Sequence, residues 1–278
     1  MIPCLTTAGI GNPGGIEALV ALAGRHGFQA IDTGGEALER WVAARGVDGV
    51  KESLAAHGVR LGAIGLPVEW RRDEATFRQG LPRLAAHAHL ASQLGGTVCC
   101  TWMPPSIDEP VAVFASRAIR RFRACADILG DFGMRLGLEF VGPHHLRRRS
   151  HLFVYDLPGT LELIAAIDLP NVGILLDSYH WHTTEATVAD IEALPRGAVV
   201  HVHINDAKPL PRAELLDNDR LFPGEGAIDL RGFCGALRRI AYDGCIALEV
   251  LSQSPPPGSV DEAAARAKRG IDAALAGV

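Results

Sequence analysis

The chain has 278 residues, 48% hydrophobic and 21% charged, and can bury a core the size of one α/β barrel, which typically takes about 250 residues. Its formal net charge of −5 argues against a nucleic-acid backbone as the main partner, since such proteins show a basic face. No apolar run reaches the roughly 18 residues of a membrane span, so no membrane partner is expected.

In chain order, the opening stretch MIPCLTTAGIGNPGG lacks a basic start and breaks into Gly and Pro, so it does not read as a secretory leader. Within it, Pro3–Thr6 is the first candidate strand, followed by the amphipathic GGIEALVALAGRHG. Ala30–Asp32 and Arg60–Ile64 are the next short strands, and TFRQGLPRLAAHAHLASQLGG reads as a helix before the strand Thr97–Thr101. VFASRAIRRFRACADILGDFG has apolar or small residues at helical spacing and ends on Gly, as helices commonly do. The second half supplies strands at Arg135–Glu139, Val172–Asp177, Val199–Asn205 and Cys245–Glu249, and PPPG at 255–258 reads as a loop before the last helix. The six cysteines lack CxxC spacing, which suits reduced, buried thiols in a cytoplasmic protein.

Eight strands, each followed by a helix and joined without a long linker, predict one domain over residues 1–278, an α/β fold of the (β/α)8 TIM-barrel type. An open doubly wound sheet is the alternative, but no GxGxxG follows a strand, and GIGNPGG matches weakly. A barrel of this kind builds its site at the carboxyl ends of its strands. The last four strands end on or near Glu139, Asp177, His203 and Glu249. Side-chain alternation sends Leu136, Leu138, Ile174, Leu176, Val200, Val202, Ile246 and Leu248 outward to the helices. Gly137, Glu139, Leu175, Asp177, His201, His203, Ala247 and Glu249 then face inward. Three carboxylates and an imidazole converging there repel unless a cation joins them, and one divalent ion resolves this. An oxygen-rich set with one nitrogen favours Mn²⁺, with Mg²⁺, Co²⁺ or Zn²⁺ as alternatives. His201, one layer below His203, reads as a supporting residue beneath the ion.

At these residues the chain resembles the sugar phosphate isomerase/epimerase superfamily, the xylose-isomerase-like barrels that include ketose 3-epimerases and keto-inositol dehydratases. The resemblance is carried by LEFVGP, DSYH, HVHIND and the PGEG…YDG…LEV stretch. It implies metal binding by Glu139, Asp177, His203 and Glu249, with the two glutamates also acting as acid and base. It further implies substrate binding by His180, from the D-x-x-H element, and by Arg220, three residues before the Pro of PGEG. The chain departs from the ketose epimerases at His145, where those enzymes carry a second Glu, so the hydrogen bonding around the substrate is expected to differ there, with His145 expected beside His201 as a residue supporting the site. Trp102 and Trp181 are candidates to stack on a sugar ring, and a homo-oligomer is implied by the resemblance.

The residues independently support the same chemistry. A divalent ion that polarises a carbonyl makes the adjacent C–H acidic, and Glu139 and Glu249 on different strands can serve the two faces of an enediolate. The expected function is therefore a divalent-metal-dependent isomerase or epimerase of a keto-sugar or sugar phosphate. The same intermediate serves a dehydratase or lyase on a keto-inositol or 3-keto-glycoside. A non-catalytic sugar-binding barrel and an endonuclease IV-like DNA-repair hydrolase are the rival classes. The latter needs histidines where AIGLP and CCTWM have none.

Overall fold

The computed structural model describes residues 1–254 and 258–277, so the prolines of PPPG, expected in a loop, lie outside the described residues. The first half contains β1 (Ile2–Leu5), α1 (Ile16–Arg25), β2 (Ala30–Thr33), α2 (Gly35–Ala56), β3 (Arg60–Gly65), α3 (Glu74–Gln93), β4 (Val98–Trp102), β5 (Ser106–Ile107) and α4 (Val111–Gly130). The second contains β6 (Arg135–Glu139), β7 (His151–Leu152), α5 (Leu157–Ile167), β8 (Val172–Asp177), α6 (Ser178–Thr183), α7 (Val188–Glu192), β9 (Val199–Ile204), α8 (Leu230–Arg239), β10 (Cys245–Leu248) and α9 (Val260–Leu275). Eight parallel strands close in the order β1-β10-β9-β8-β6-β4-β3-β2, so the chain folds as the predicted (β/α)8 TIM barrel. The short β5 and β7 pair antiparallel outside the barrel and join the loops that follow β4 and β6.

The helices start where short polar side chains can cap them. Asp73 accepts from the Thr76 amide, Asp156 from Gly159, and Ser259 forms a capping box with Glu262. Along α4, Phe114, Ala118, Phe122, Cys125, Ala126 and Leu129 are buried at helical spacing. α4 packs on β6, and around the barrel the ring of helices covers the outward face of the sheet, where Leu136, Leu138, Ile174, Leu176, Val202, Ile246 and Leu248 are fully buried. Each such side chain stabilises the fold by about 1.5–3 kcal/mol relative to exposure. The six cysteines are free, and among the described residues no helix is long and apolar enough to cross a membrane.

Val200 departs from the expected alternation. Ile174 pairs with Val199 but Leu175 pairs with His201, so Val200 is the extra residue of a bulge between β8 and β9. A Cβ on Gly137 or Gly173 would lie 2.9 Å or 2.7 Å from a Val200 methyl, so Val200 occupies the barrel floor left open by these two glycines. The bulge restores the register above it: Asp177 pairs with His203, and His203 with Ala247 of β10. A second bulge, between β2 and β3, brings Asp32 beside Gly62, where a Cβ would lie 2.4 Å from the carboxylate.

Candidate active site

Glu139, Asp177, His203 and Glu249 converge at the carboxyl ends of β6, β8, β9 and β10, with their donor atoms within 4.8 Å of one another. His203 Nδ1 lies 3.1 Å from Glu139, 3.4 Å from Glu249 and 3.8 Å from Asp177. Period-two alternation aims one polar side chain inward from each strand. Asp177 pairs directly with His203, whereas Glu139 pairs with Leu175 and His203 with Ala247, so the stagger of the closed barrel, rather than direct pairing, brings Glu139 and Glu249 to them.

The cluster is strongly negative, with Glu139 and Asp177 buried and His203 and Glu249 half-buried, and two cations answer it. Arg220 Nη1 donates to Asp177 at 2.9 Å and to Glu249 at 2.8 Å, while Nη2 donates to Asp217 at 2.8 Å. Burial alone would make the His203 imidazolium less stable, but Glu249 and Glu139 outweigh it and hold His203 well above its ordinary value. Burial and the neighbouring Glu249 push the Glu139 carboxyl up. Burial acts on Glu249 in the same sense, yet His203 and Arg220 prevail and hold it well below the usual carboxylate range. Three carboxylates and one imidazole at this spacing fit a divalent cation. Oxygen donors with a single nitrogen suit Mn²⁺, Co²⁺, Mg²⁺ or Zn²⁺ rather than a thiophilic ion.

The supporting residues explain the polar run after β9. Asn205 Nδ2 donates to both carboxylate oxygens of Asp177, at 3.2 and 3.1 Å. Asp177 Oδ1 also caps α6 by accepting from the amides of Tyr179 and His180. Asp206 accepts from the amides of Ala207, Gly224, Gly226 and Ile228, and so ties the PGEG loop to the end of β9. That loop follows Arg220, so Asp206 and Asp217 together fix where the guanidinium points. Asn205, Asp206 and Asp217 were legible only as polar residues beside a motif. Asp217, three residues before Arg220, offered a spacing signal.

His201 does lie one layer below, with Nε2 2.7 Å from Asp32 and its ring edge-on to that of His203. Asp32 is a further residue sequence reasoning passed over. It also accepts from the Ala63 amide at 2.6 Å. His180 is buried, receives the Gly142 amide on Nδ1 and faces Arg220 through Nε2 at 3.4 Å. Trp102 stands at the mouth, 47% exposed, with the Arg71 guanidinium 4.2 Å from its ring centroid.

Two expected residues are not brought to the mouth. Trp181 is buried against Phe233 of α8 and donates its indole N–H to the Thr187 carbonyl, because the step of about 100° from His180 to the next residue of α6 carries it to the outer side. It is a core residue and offers no face to a sugar. His145 sits in the 3-10 turn His144–Leu146, lines neither cleft at the mouth and makes no hydrogen bond to the cluster among the described residues. It therefore does not support the cluster from beneath. Within the basic run that follows, Arg147 donates to the carbonyls of Gly142 and Thr183, and only Arg149 reaches a cleft.

Two clefts meet at the cluster. One, of about 350 Å³, spreads over β1–β4 past Thr7, Asp32, Thr33 and Thr101. The other, of about 300 Å³, runs over Pro104, Ser106, Leu146 and Arg149 to His180, Asp217 and Arg220. Glu139, Glu249 and Trp102 line both.

A family model described as the xylose isomerase-like TIM barrel matches residues 20–270. Among curated relatives, the inosose isomerase of Bacillus subtilis (strain 168) is 28% identical over 144 residues, 52% of this chain and 50% of that protein. The ketose 3-epimerase of Arthrobacter globiformis is 25% identical over 216 residues, 75% of this chain and 69% of that protein. The chain thus spans about half the length of the inosose isomerases it matches. Among solved structures, a xylose isomerase domain protein from Alicyclobacillus acidocaldarius is 34% identical with a TM-score of 0.93, covering 99% of this chain and 98% of that one. The IolI protein with a bound zinc atom has a TM-score of 0.84 at 21% identity, covering 99% and 98%.

Proposed function

The chain belongs to the xylose isomerase-like TIM barrel family, and from that premise we propose that it is a divalent-metal-dependent isomerase or epimerase of a keto-sugar. The reading is carried by one observation: four donor side chains meet at the barrel mouth, and two of them, Glu139 and Glu249, open onto both clefts. Residues 1–278 act as one domain in this reading, and the free cysteines fit a reduced, cytoplasmic setting.

Glu139, Asp177, His203 and Glu249 hold the ion, which when bound polarises the substrate carbonyl and lowers the barrier to removing the neighbouring proton. Arg220 and His180 orient the substrate oxygens from the second cleft. Asn205 and the α6 amides hold the Asp177 carboxylate in place, with Oδ2 toward Arg220 and His203. Glu139 on β6 and Glu249 at the end of β10 are separated by two strands, β8 and β9. One takes the proton next to the carbonyl and the other returns a proton, to the opposite face in epimerisation or to the neighbouring carbon in isomerisation. Trp102 covers the apolar face of the ring at the mouth.

A second outcome of the same enediolate is elimination of a β-substituent. It is favoured by His145, which lies outside both clefts and leaves no carboxylate at the place where ketose epimerases carry their second Glu.

The test is proton exchange. The Mn²⁺-loaded protein is incubated in D₂O with ketoses, ketose phosphates, keto-inositols and 3-keto-glycosides, and NMR reads deuterium entering beside the carbonyl. Exchange with one of these, lost in Glu249→Gln and on chelation, supports the reading. No exchange with any, in protein that demonstrably binds metal, sinks it.

A further inference from the structure

We propose that the cleft over β1–β4 is a second substrate subsite for an uncharged polyhydroxylated unit, so that the substrate is a keto-sugar carrying a further sugar-like group, such as a keto-glycoside. The inference rests on the reading above and asks what lies on the far side of the reacting carbon.

Clefts of about 350 and 300 Å³ each already fall in the range of small-ligand sites. They adjoin at Glu139 and Glu249 rather than overlap into one bowl. A single ring placed in the Arg220 cleft, with its reacting carbon between the two glutamates, leaves the other cleft open and contiguous. A substrate extending through that carbon fills both.

The lining chooses the chemistry. Thr7 and Thr33 line the open cleft, and neither hydroxyl makes a hydrogen bond among the described residues. The Thr101 hydroxyl accepts from the Trp70 indole at 3.3 Å, which leaves its own proton available. Asp32 accepts from Ala63 and Cys4 on Oδ1 and pairs with His201 through Oδ2. A carboxylate has about four acceptor sites, so one remains on the cleft side. Donors and acceptors are thus both on offer, as sugar hydroxyls require. Among the described residues no Lys or Arg lines this cleft, and Asp32, Glu139 and Glu249 border it against the single imidazole of His203, so a phosphate or carboxylate there would meet mostly like charge. The basic groups, Arg149 and Arg220, belong to the other cleft. Trp102 stands between the two and offers an aromatic surface to the linkage.

The experiment compares a matched pair, 3-keto-glucose and a disaccharide bearing the same 3-keto-glucosyl ring, by exchange kinetics on the Mn²⁺-loaded enzyme. The disaccharide is expected to show kcat/KM at least tenfold higher, and Thr7→Val with Thr33→Val to remove that advantage through KM. Saturation-transfer NMR on the Glu249→Gln protein supplies a readout that needs no turnover, and the protons of the second unit should receive saturation. Equal kcat/KM for the two substrates, or no saturation on the second unit, overturns the proposal. Saturation on the second unit without exchange in the native enzyme leaves the subsite standing and instead overturns the proton-abstraction reading.

Discussion

The two halves of the barrel mouth are made from the same kind of parallel strand yet carry opposite chemistry. The half formed by β6, β8, β9 and β10 ends in Glu139, Asp177, His203 and Glu249, buried or half-buried, with Arg220 cross-linking Asp177 and Glu249. The half formed by β1–β4 ends in threonines, glycines, Cys100 and the exposed Trp102, with Asp32 as its one charge. Identical backbone geometry therefore sets where a side chain emerges but not what it does. The charged half is rigid because each carboxylate has a fixed partner, and the neutral half keeps hydroxyls available to a ligand.

Several substitutions test that division, beginning with the largest effect. Glu249→Gln should cut proton exchange by about 10²–10⁴-fold, the usual worth of a positioned acid or base, whereas Thr7→Val should spare single-ring exchange to within severalfold. Equal losses at both sites would erase the distinction between the halves. Trp181→Ala should destabilise the fold by about 3–5 kcal/mol, as other large-to-small core changes do, measured by denaturant unfolding. Trp102→Ala, at an exposed position, should stay within about 0.5 kcal/mol and alter KM instead.

Metal removal comes next. Mn²⁺, Co²⁺ or Zn²⁺ at a hundredfold its dissociation constant should add about 2.7 kcal/mol of stability, which chelation removes and Asp177→Asn abolishes. An unchanged melting temperature on adding any of these ions would contradict the charged half as their site. Asp206→Ala should cost about 1–3 kcal/mol, because the amides of Gly224 and Gly226 in the PGEG loop and the buried amide of Ile228 lose their acceptor, and should raise KM by loosening Arg220.

The smallest effect concerns acid. Burial pushes the Asp32 carboxyl up, but the charge and hydrogen bond of His201 outweigh it and hold it below its ordinary value. Its contribution is therefore present above the unfolded value, roughly 4, and is lost as pH falls through the lower folded value. Asp32→Asn should flatten that acid limb, read by denaturant unfolding at a series of acidic pH values.

Most of the charged half was legible because alternation is local. Leu136–Glu139 and Leu248–Glu249 declare their inner and outer faces within a few residues, whatever the rest of the chain does. Trp181 misled for the same reason, since adjacency to His180 in sequence says nothing about which side of a helical turn a residue takes. Val200 misled because a bulge interrupts the period of two, and only its partner strand reveals the extra residue. Asn205 and Asp206 stood in plain view after His203, but their partners at Asp177 and in the PGEG loop come from other elements.

The sequence by itself determined the barrel, its four inward polar strand ends and the chemistry open to them, because strand period and helix amphipathicity are fixed by neighbouring residues. Tertiary structure alone decided that Arg220 bridges Asp177 and Glu249, that Asp32 pairs with His201, that Trp181 belongs to the core, and that two clefts meet at the glutamates. Those outcomes depend on contacts between segments 29 to 169 residues apart, which register and loop closure set.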